Sequence, residues 1–207
     1  MSGLDHYTKD QLDLLVALPY RIGLFVSSSD DTGGDESAEA EMQALSLIVT
    51  SFAEDYLKSQ FVQTMMEHTV ALKDEWENWG ENIDAVPGEC VRAIDLLCDH
   101  LDRKEVASFK LTMMEIATSV AMAYREFDET SDLSTRIKMY GRVLMDRLHA
   151  VMNNDQTFNA DEVYNVSEAE RKALDTLIES LDLASKRRQA KYIDPTIDPD
   201  EQNMQSA

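Results

Sequence analysis

Turn-forming residues are too scarce in this chain to punctuate a sheet protein. Seven glycines and four prolines are spread over 207 residues, whereas a many-stranded fold needs a turn signal every ~10 residues. Between the breaks run long stretches rich in Ala, Leu, Met, Glu and Lys, which enter a helix with little loss of side-chain freedom. The expected fold class is therefore all-α, a compact domain of about seven helices. With 43% hydrophobic residues, the chain can bury a substantial core.

The first helix is expected to begin at Thr8, which with Gln11 three residues later forms a capping-box pattern. Its apolar residues, Leu12, Leu15, Val16, Leu18, Ile22, Leu24, Phe25 and Val26, are dense enough for burial on most sides. Pro19 within it lacks the amide proton that the helical ladder needs, which predicts a kink. The polar run Ser27–Ser37 ends this helix. A second carries Met42, Leu45, Ile48, Val49 and Phe52, and a third is expected over roughly Ala53–Trp79, ending near Gly80 and Asn82. Pro87 reads as the first residue of a fourth, where its missing donor costs nothing. A fifth spans about 104–125, and a sixth carries Ile137, Tyr140, Val143, Leu144, Leu148 and Val151.

Asn153-Asn154-Asp155 marks a loop, and Ser167 with Glu170 is a second capping box opening a last helix. That helix ends in Lys186-Arg187-Arg188, which suits the negative end of a helix dipole. The organisation expected is a helical domain over residues 1–152, a loop and added C-terminal helix packed on it over 153–193, and a disordered, proline-broken tail over 194–207.

Charge narrows the partners. Forty acids against nineteen Lys and Arg give a formal charge of −21, which repels phosphate backbones and anionic lipid surfaces. Nucleic acid is not an expected partner; cations and basic proteins are. The opening MSGLDHYTKDQLD lacks the pattern of a secretory signal, and no run reaches the roughly 18 apolar residues of a membrane span. A cytoplasmic location without direct membrane insertion is the expectation. Cys90 and Cys98 sit two helical turns apart, about 12 Å at 1.5 Å per residue, too far to bridge each other, and read as reduced thiols.

The most conspicuous chemistry is an acidic turn. Asp30, Asp31, Asp35, Glu36, Glu39 and Glu41 place six carboxylates within twelve residues, with no Lys or Arg among them. Hard divalent cations such as calcium or magnesium take oxygen ligands from carboxylates and hydroxyls on flexible loops. Thr32 offers a hydroxyl, Gly33-Gly34 let the chain wrap tightly, and Glu39 or Glu41 on the next helix would close the site. Asp30 and Glu41 have the spacing of the first and last EF-hand ligands, but Asp35 stands where that loop needs glycine, so a standard EF-hand is rejected. The alternative reading is an acidic helix N-terminus complementing the dipole.

A second acidic turn, Glu126, Asp128, Glu129 and Asp132, is flanked by Arg125 and Arg136, which can neutralise it without metal. A third cluster, Asp74, Glu75, Glu77, Glu81 and Asp84, is interleaved with Trp76 and Trp79. It reads either as a solvated helix end with inward aromatics or as a protein-docking edge, since Trp is enriched in binding hot spots.

Catalytic constellations are not evident. A di-iron carboxylate bundle needs Glu-x-x-His pairs, yet Met65, Leu97 and Asp146 precede His68, His100 and His149 by three residues. No phosphate-binding glycine loop, zinc-type Cys/His spacing or nucleophile elbow occurs. A non-enzymatic protein is expected.

Two segments share one plan of apolar helix, acidic turn and amphipathic helix, one starting at Ala17 and the other at Glu115. At an offset of 98, Asp30 meets Asp128 and Thr32 meets Thr130. Arg21-Ile22-Gly23-Leu24-Phe25-Val26, Ser29-Asp30-Asp31 and the helix from Ser37 with Glu41 and Leu45 resemble the TerB-like family of tellurite-resistance and stress proteins. The second copy is Ala117–Tyr124, Asp128 and the helix around Tyr140. The resemblance spans about residues 12–150 and implies two pseudo-repeated helical halves. It also implies metal ligation by Asp30, Asp31 and Glu41 with Asp128 as counterpart, and action through protein partners in membrane-associated stress complexes. The chain departs from the family in the enlarged first turn, Gly33-Gly34-Asp35-Glu36, and in the second turn, which lacks the Asp-Gly pair.

Overall fold

The computed structural model describes residues 4, 6–29, 35–54, 59–123 and 167–193. These form six α-helices and no strand: α1 (Lys9–Ser27), α2 (Asp35–Glu54), α3 (Gln60–Ala71), α4 (Val86–His100), α5 (Arg103–Ala123) and α6 (Glu168–Ile193). Between α3 and α4 lie three single-turn 3-10 helices, Lys73–Glu75, Asn78–Gly80 and Ile83–Ala85, here called the strap.

α1 is the hub. It packs against every other α-helix of the described residues, so the run Leu15–Gly23 is buried without interruption. This explains the dense apolar pattern: a helix enclosed on all sides has no polar face to alternate with. The expected capping box is present, with Thr8 Oγ1 accepting from Gln11 N at 3.4 Å and Gln11 Oε1 accepting from Thr8 N at 2.8 Å. The helix runs continuously through the buried Pro19.

Close packing fixes where α2 crosses α1. A Cβ built on Gly23 would stand 2.2 Å from Leu45 Cδ1 and 3.4 Å from Val120 Cγ2. Glycine is therefore what lets α2 and α5 approach α1 at this level. α4 runs antiparallel to α1: the rings of Tyr7 and His100 meet at one end, with centroids 5.1 Å apart, and Arg21 meets Glu89 at the other.

The third helix differs from its expected span. Instead of one helix over 53–79, α2 continues through Ala53, and α3 starts after Ser59, whose Oγ accepts from Val62 N at 3.0 Å. An N-cap of this kind gives a first-turn N–H the acceptor that a preceding helical turn would otherwise supply. α3 stops at Ala71 because the chain then folds back on it, with Trp76 Nε1 donating to Thr69 O at 2.9 Å. The fourth helix begins at Val86, one residue before Pro87.

α6 opens with the second expected capping box. Ser167 N donates to Glu170 Oε2 at 2.7 Å, and Glu170 N donates to Ser167 Oγ at 3.1 Å. It packs chiefly on α4, and also on α5 and α1. Lys110 Nζ of α5 holds Asp182 Oδ1 at 2.9 Å. Both α6 and the five preceding helices contribute to a single hydrophobic core.

Of the two acidic turns, Asp30, Asp31 and Thr32 in the first and Asp128 in the second lie outside the described residues, as does most of the second copy of the internal repeat. Among the described residues no helix is long and apolar enough to cross a membrane.

Candidate functional site

The strap is where the most specific long-range polar chemistry of the described residues gathers. It is not a regular helix, and its shape is imposed from outside by Arg21. A guanidinium carries five N–H donors in a rigid fork, and Arg21 uses all of them. Nε donates to Glu89 Oε2 at 2.7 Å, and Nη2 donates to Glu89 Oε1 at 3.2 Å and to the Asn82 carbonyl at 3.1 Å. Nη1 donates to the carbonyls of Trp79 and Glu81, the latter at 2.9 Å.

Burial makes this arrangement consequential. The Arg21 and Glu89 side chains are 10% and 14% exposed, so each charge has little water to solvate it. The pair compensates itself, and the strap carbonyls complete the shell that a buried guanidinium requires. Glu89 lies in the first turn of α4, where a carboxylate is also favoured by the helix dipole. Asn82 takes a left-handed conformation, φ 50° and ψ 52°, which asparagine tolerates better than most residues. That turn reverses the chain so that three carbonyls within four residues converge on one guanidinium.

Aromatic packing anchors the other half of the strap. Trp76 is buried and stacks on Tyr20 at a centroid distance of 4.5 Å. Thr69, which receives the Trp76 indole on its carbonyl, donates its hydroxyl to Val16 O at 2.7 Å. Trp79 is half-buried, 6.3 Å from the Tyr20 ring. Lys73 Nζ lies 5.5 Å from the Trp76 ring centre, a cation–π contact.

With its backbone and aromatics turned inward, the strap presents its carboxylates outward. Asp74, Glu75, Glu77, Glu81 and Asp84 are all exposed. Five carboxylates thus stand on an ordered backbone, accompanied by the single cation Lys73.

The structure separates the two tryptophans proposed for partner binding. Trp76 is consumed by the core, whereas Trp79 packs at its margin and stays partly exposed. Of the other residues singled out in the sequence, Asp35, Glu39 and Glu41 fall within α2, Asp35 as its first residue, but their side chains lie outside the described part. The Arg21–Glu89 pair carries no periodic signature, being separated by 68 positions. The one available signal was an arginine inside the apolar run Leu15–Val26, where a charge needs a buried partner.

Cys90 is buried beside this site, and burial, reinforced by the Glu89 charge, pushes its thiol upward, away from the reactive thiolate.

The fold and this site define an all-helical protein with an acidic strap clamped by a buried arginine. No family model, curated protein or solved structure matches the chain.

Proposed function

We propose that this is a non-enzymatic helical protein that works through a protein partner, with the strap as the docking edge for a basic segment. The observation that carries the reading is the division of labour within Lys73–Ala85. Its carbonyls and Trp76 are spent on internal contacts, while its five carboxylates are exposed and Trp79 stays partly so. An ordered, like-charged surface steers an oppositely charged partner and pays less entropy on binding than a loose one.

The test is titration of a fluorescently labelled oligolysine peptide into the full chain, followed by anisotropy at several salt concentrations. Neutralising the strap (Asp74→Asn, Glu75→Gln, Glu77→Gln, Glu81→Gln and Asp84→Asn together) is expected to weaken binding roughly tenfold more than neutralising Asp10, Asp13, Glu67, Asp175 and Glu179, which are equally exposed. Equal weakening by both sets would reduce the strap to a share of the overall charge.

A second reading rests on the six carboxylates within the twelve residues Asp30–Glu41 of the sequence. Here the Asp30–Glu41 turn binds a divalent cation, calcium or magnesium. The TerB-like resemblance supplies the wider setting, a cytoplasmic protein of two related halves acting in a stress or tellurite response beside a membrane-associated complex. Calorimetric titration of chelator-stripped protein should show saturable heat that Asp30→Ala or Asp31→Ala diminishes while helicity is kept. Heat unchanged in both variants removes the site from this turn.

A further inference from the structure

The methionines differ sharply in their access to solvent. Met65, Met66, Met113 and Met114 are buried, whereas Met42 on α2 is 46% exposed. Its sulfur is nonetheless engaged, because the Tyr20 hydroxyl donates to Met42 Sδ at 2.9 Å. Tyr20 is itself buried, and among the described residues that sulfur is the one hydrogen-bond acceptor its hydroxyl has. Burial raises the phenol above its ordinary value, so the hydroxyl stays a donor through the neutral range. The Tyr20 ring stacks on Trp76 with centroids 4.5 Å apart, and the Trp76 indole in turn holds the strap against the Thr69 carbonyl. An exposed thioether is thus joined to the strap through one buried ring.

A thioether that a peroxide can reach is oxidised to the sulfoxide. The sulfur gives an electron pair to one peroxide oxygen, a sulfur–oxygen bond forms and the oxygen–oxygen bond breaks. The proton on the transferred oxygen passes to the leaving oxygen. Hydrogen peroxide ends as water and the thioether as sulfoxide, two electrons having moved from sulfur to peroxide. We infer that Met42 is a reversible oxidation site, and that the Tyr20 hydroxyl and the Trp76 ring carry the change to the strap. The sulfoxide is polar, whereas the thioether sulfur is an apolar group and a weak acceptor. No oxygen fits between two atoms 2.9 Å apart. The hydroxyl therefore either loses its acceptor or turns its ring toward the new one, and both disturb the stack on Trp76. The inference holds whether or not a partner docks on the strap carboxylates.

Both tryptophans of the chain lie in the strap, so tryptophan emission reports on this segment. The test treats the full chain with dilute hydrogen peroxide, at a level that leaves both indoles unmodified by mass spectrometry. Met42 is expected to oxidise roughly tenfold faster, or more, than the shielded Met65, Met66, Met113 and Met114. Emission should change in step with conversion of Met42, and sulfoxide reductases of both epimer specificities should restore it. The change should vanish in Met42→Leu, a volume-conserving swap, and in Tyr20→Phe, which keeps the stack but not the hydroxyl. Met42 oxidising no faster than the four buried methionines overturns the inference. So does an emission change that survives in Met42→Leu, or full conversion of Met42 with no change at all. Should Tyr20→Phe fail to fold, the time courses of the unaltered chain and of Met42→Leu decide.

Discussion

Arg21 holds Glu89 through two separate nitrogen–oxygen contacts, 2.7 Å and 3.2 Å, and with its remaining donors holds the backbone of a segment about sixty positions away in sequence. One side chain therefore joins three elements, α1, α4 and the strap. Arg21→Ala would leave the largely buried Glu89 carboxylate with only the exposed Arg92 guanidinium at 3.8 Å and release three carbonyls, at a cost of up to about 3–5 kcal/mol. Arg21→Lys should recover only a minor part, because an ammonium cannot reproduce the planar fork. Urea denaturation of both variants checks the ranking, and near-ultraviolet circular dichroism should show the tryptophan signal of the strap weakened in the folded state.

Gly23→Ala should destabilise by about 1–3 kcal/mol, the usual cost of forcing an extra carbon into a packed interior. The better helix propensity of alanine offsets part of it. Leu45 is fully buried, so its methyl has nowhere open to retreat. Shortening the opposing side chain in Gly23→Ala/Leu45→Val should be less damaging than the sum of the two single changes. Strict additivity in thermal melts would show that these side chains do not limit the crossing.

Trp76→Phe keeps a ring against Tyr20 but removes the donor to the Thr69 carbonyl. Leaving a buried acceptor unpaired costs about 1–3 kcal/mol. The same change should raise hydrogen exchange through Lys73–Gly80 more than through α4, because the indole bond ends α3 and starts the strap. Equal exchange in both segments would mean that the bond does not hold the turn.

Tyr7 is expected to set part of the alkaline limit. Burial pushes its phenol up to about 12 from 10.0. Below pH 10 folded and unfolded chains both keep the proton, and stability does not depend on it. Between pH 10 and 12 the unfolded chain ionises first, so stability falls as pH rises. Among the described residues its hydroxyl is also buried without a hydrogen-bond partner. Tyr7→Phe should thus be neutral or slightly stabilising at pH 7 and should flatten the decline above pH 10, as read from denaturation midpoints.

The parts of this fold visible in the sequence are those governed by neighbours along the chain. Thr8 with Gln11 and Ser167 with Glu170 marked two helix starts because each cap is closed within three residues. Ser59 caps α3 through Val62 N alone, and with valine rather than Glu or Gln at that third position no capping box marked the break in the expected helix over 53–79. The strap was not legible. Its three 3-10 turns exist because Arg21 and Trp76 draw the chain aside, and no local pattern reports a donor 58 to 61 positions away. At the candidate site the carboxylates and tryptophans were visible as composition. Which tryptophan faces inward was decided by the stack on Tyr20.

The oxygens that Arg21 grips at positions 79, 81 and 82 belong to the main chain, and every amino acid brings one. The contour of the strap is thereby uncoupled from the identity of the residues it displays. Substitution at Glu77, Glu81 or Asp84 can therefore change the charge this edge displays while the clamp keeps the path of the backbone beneath it.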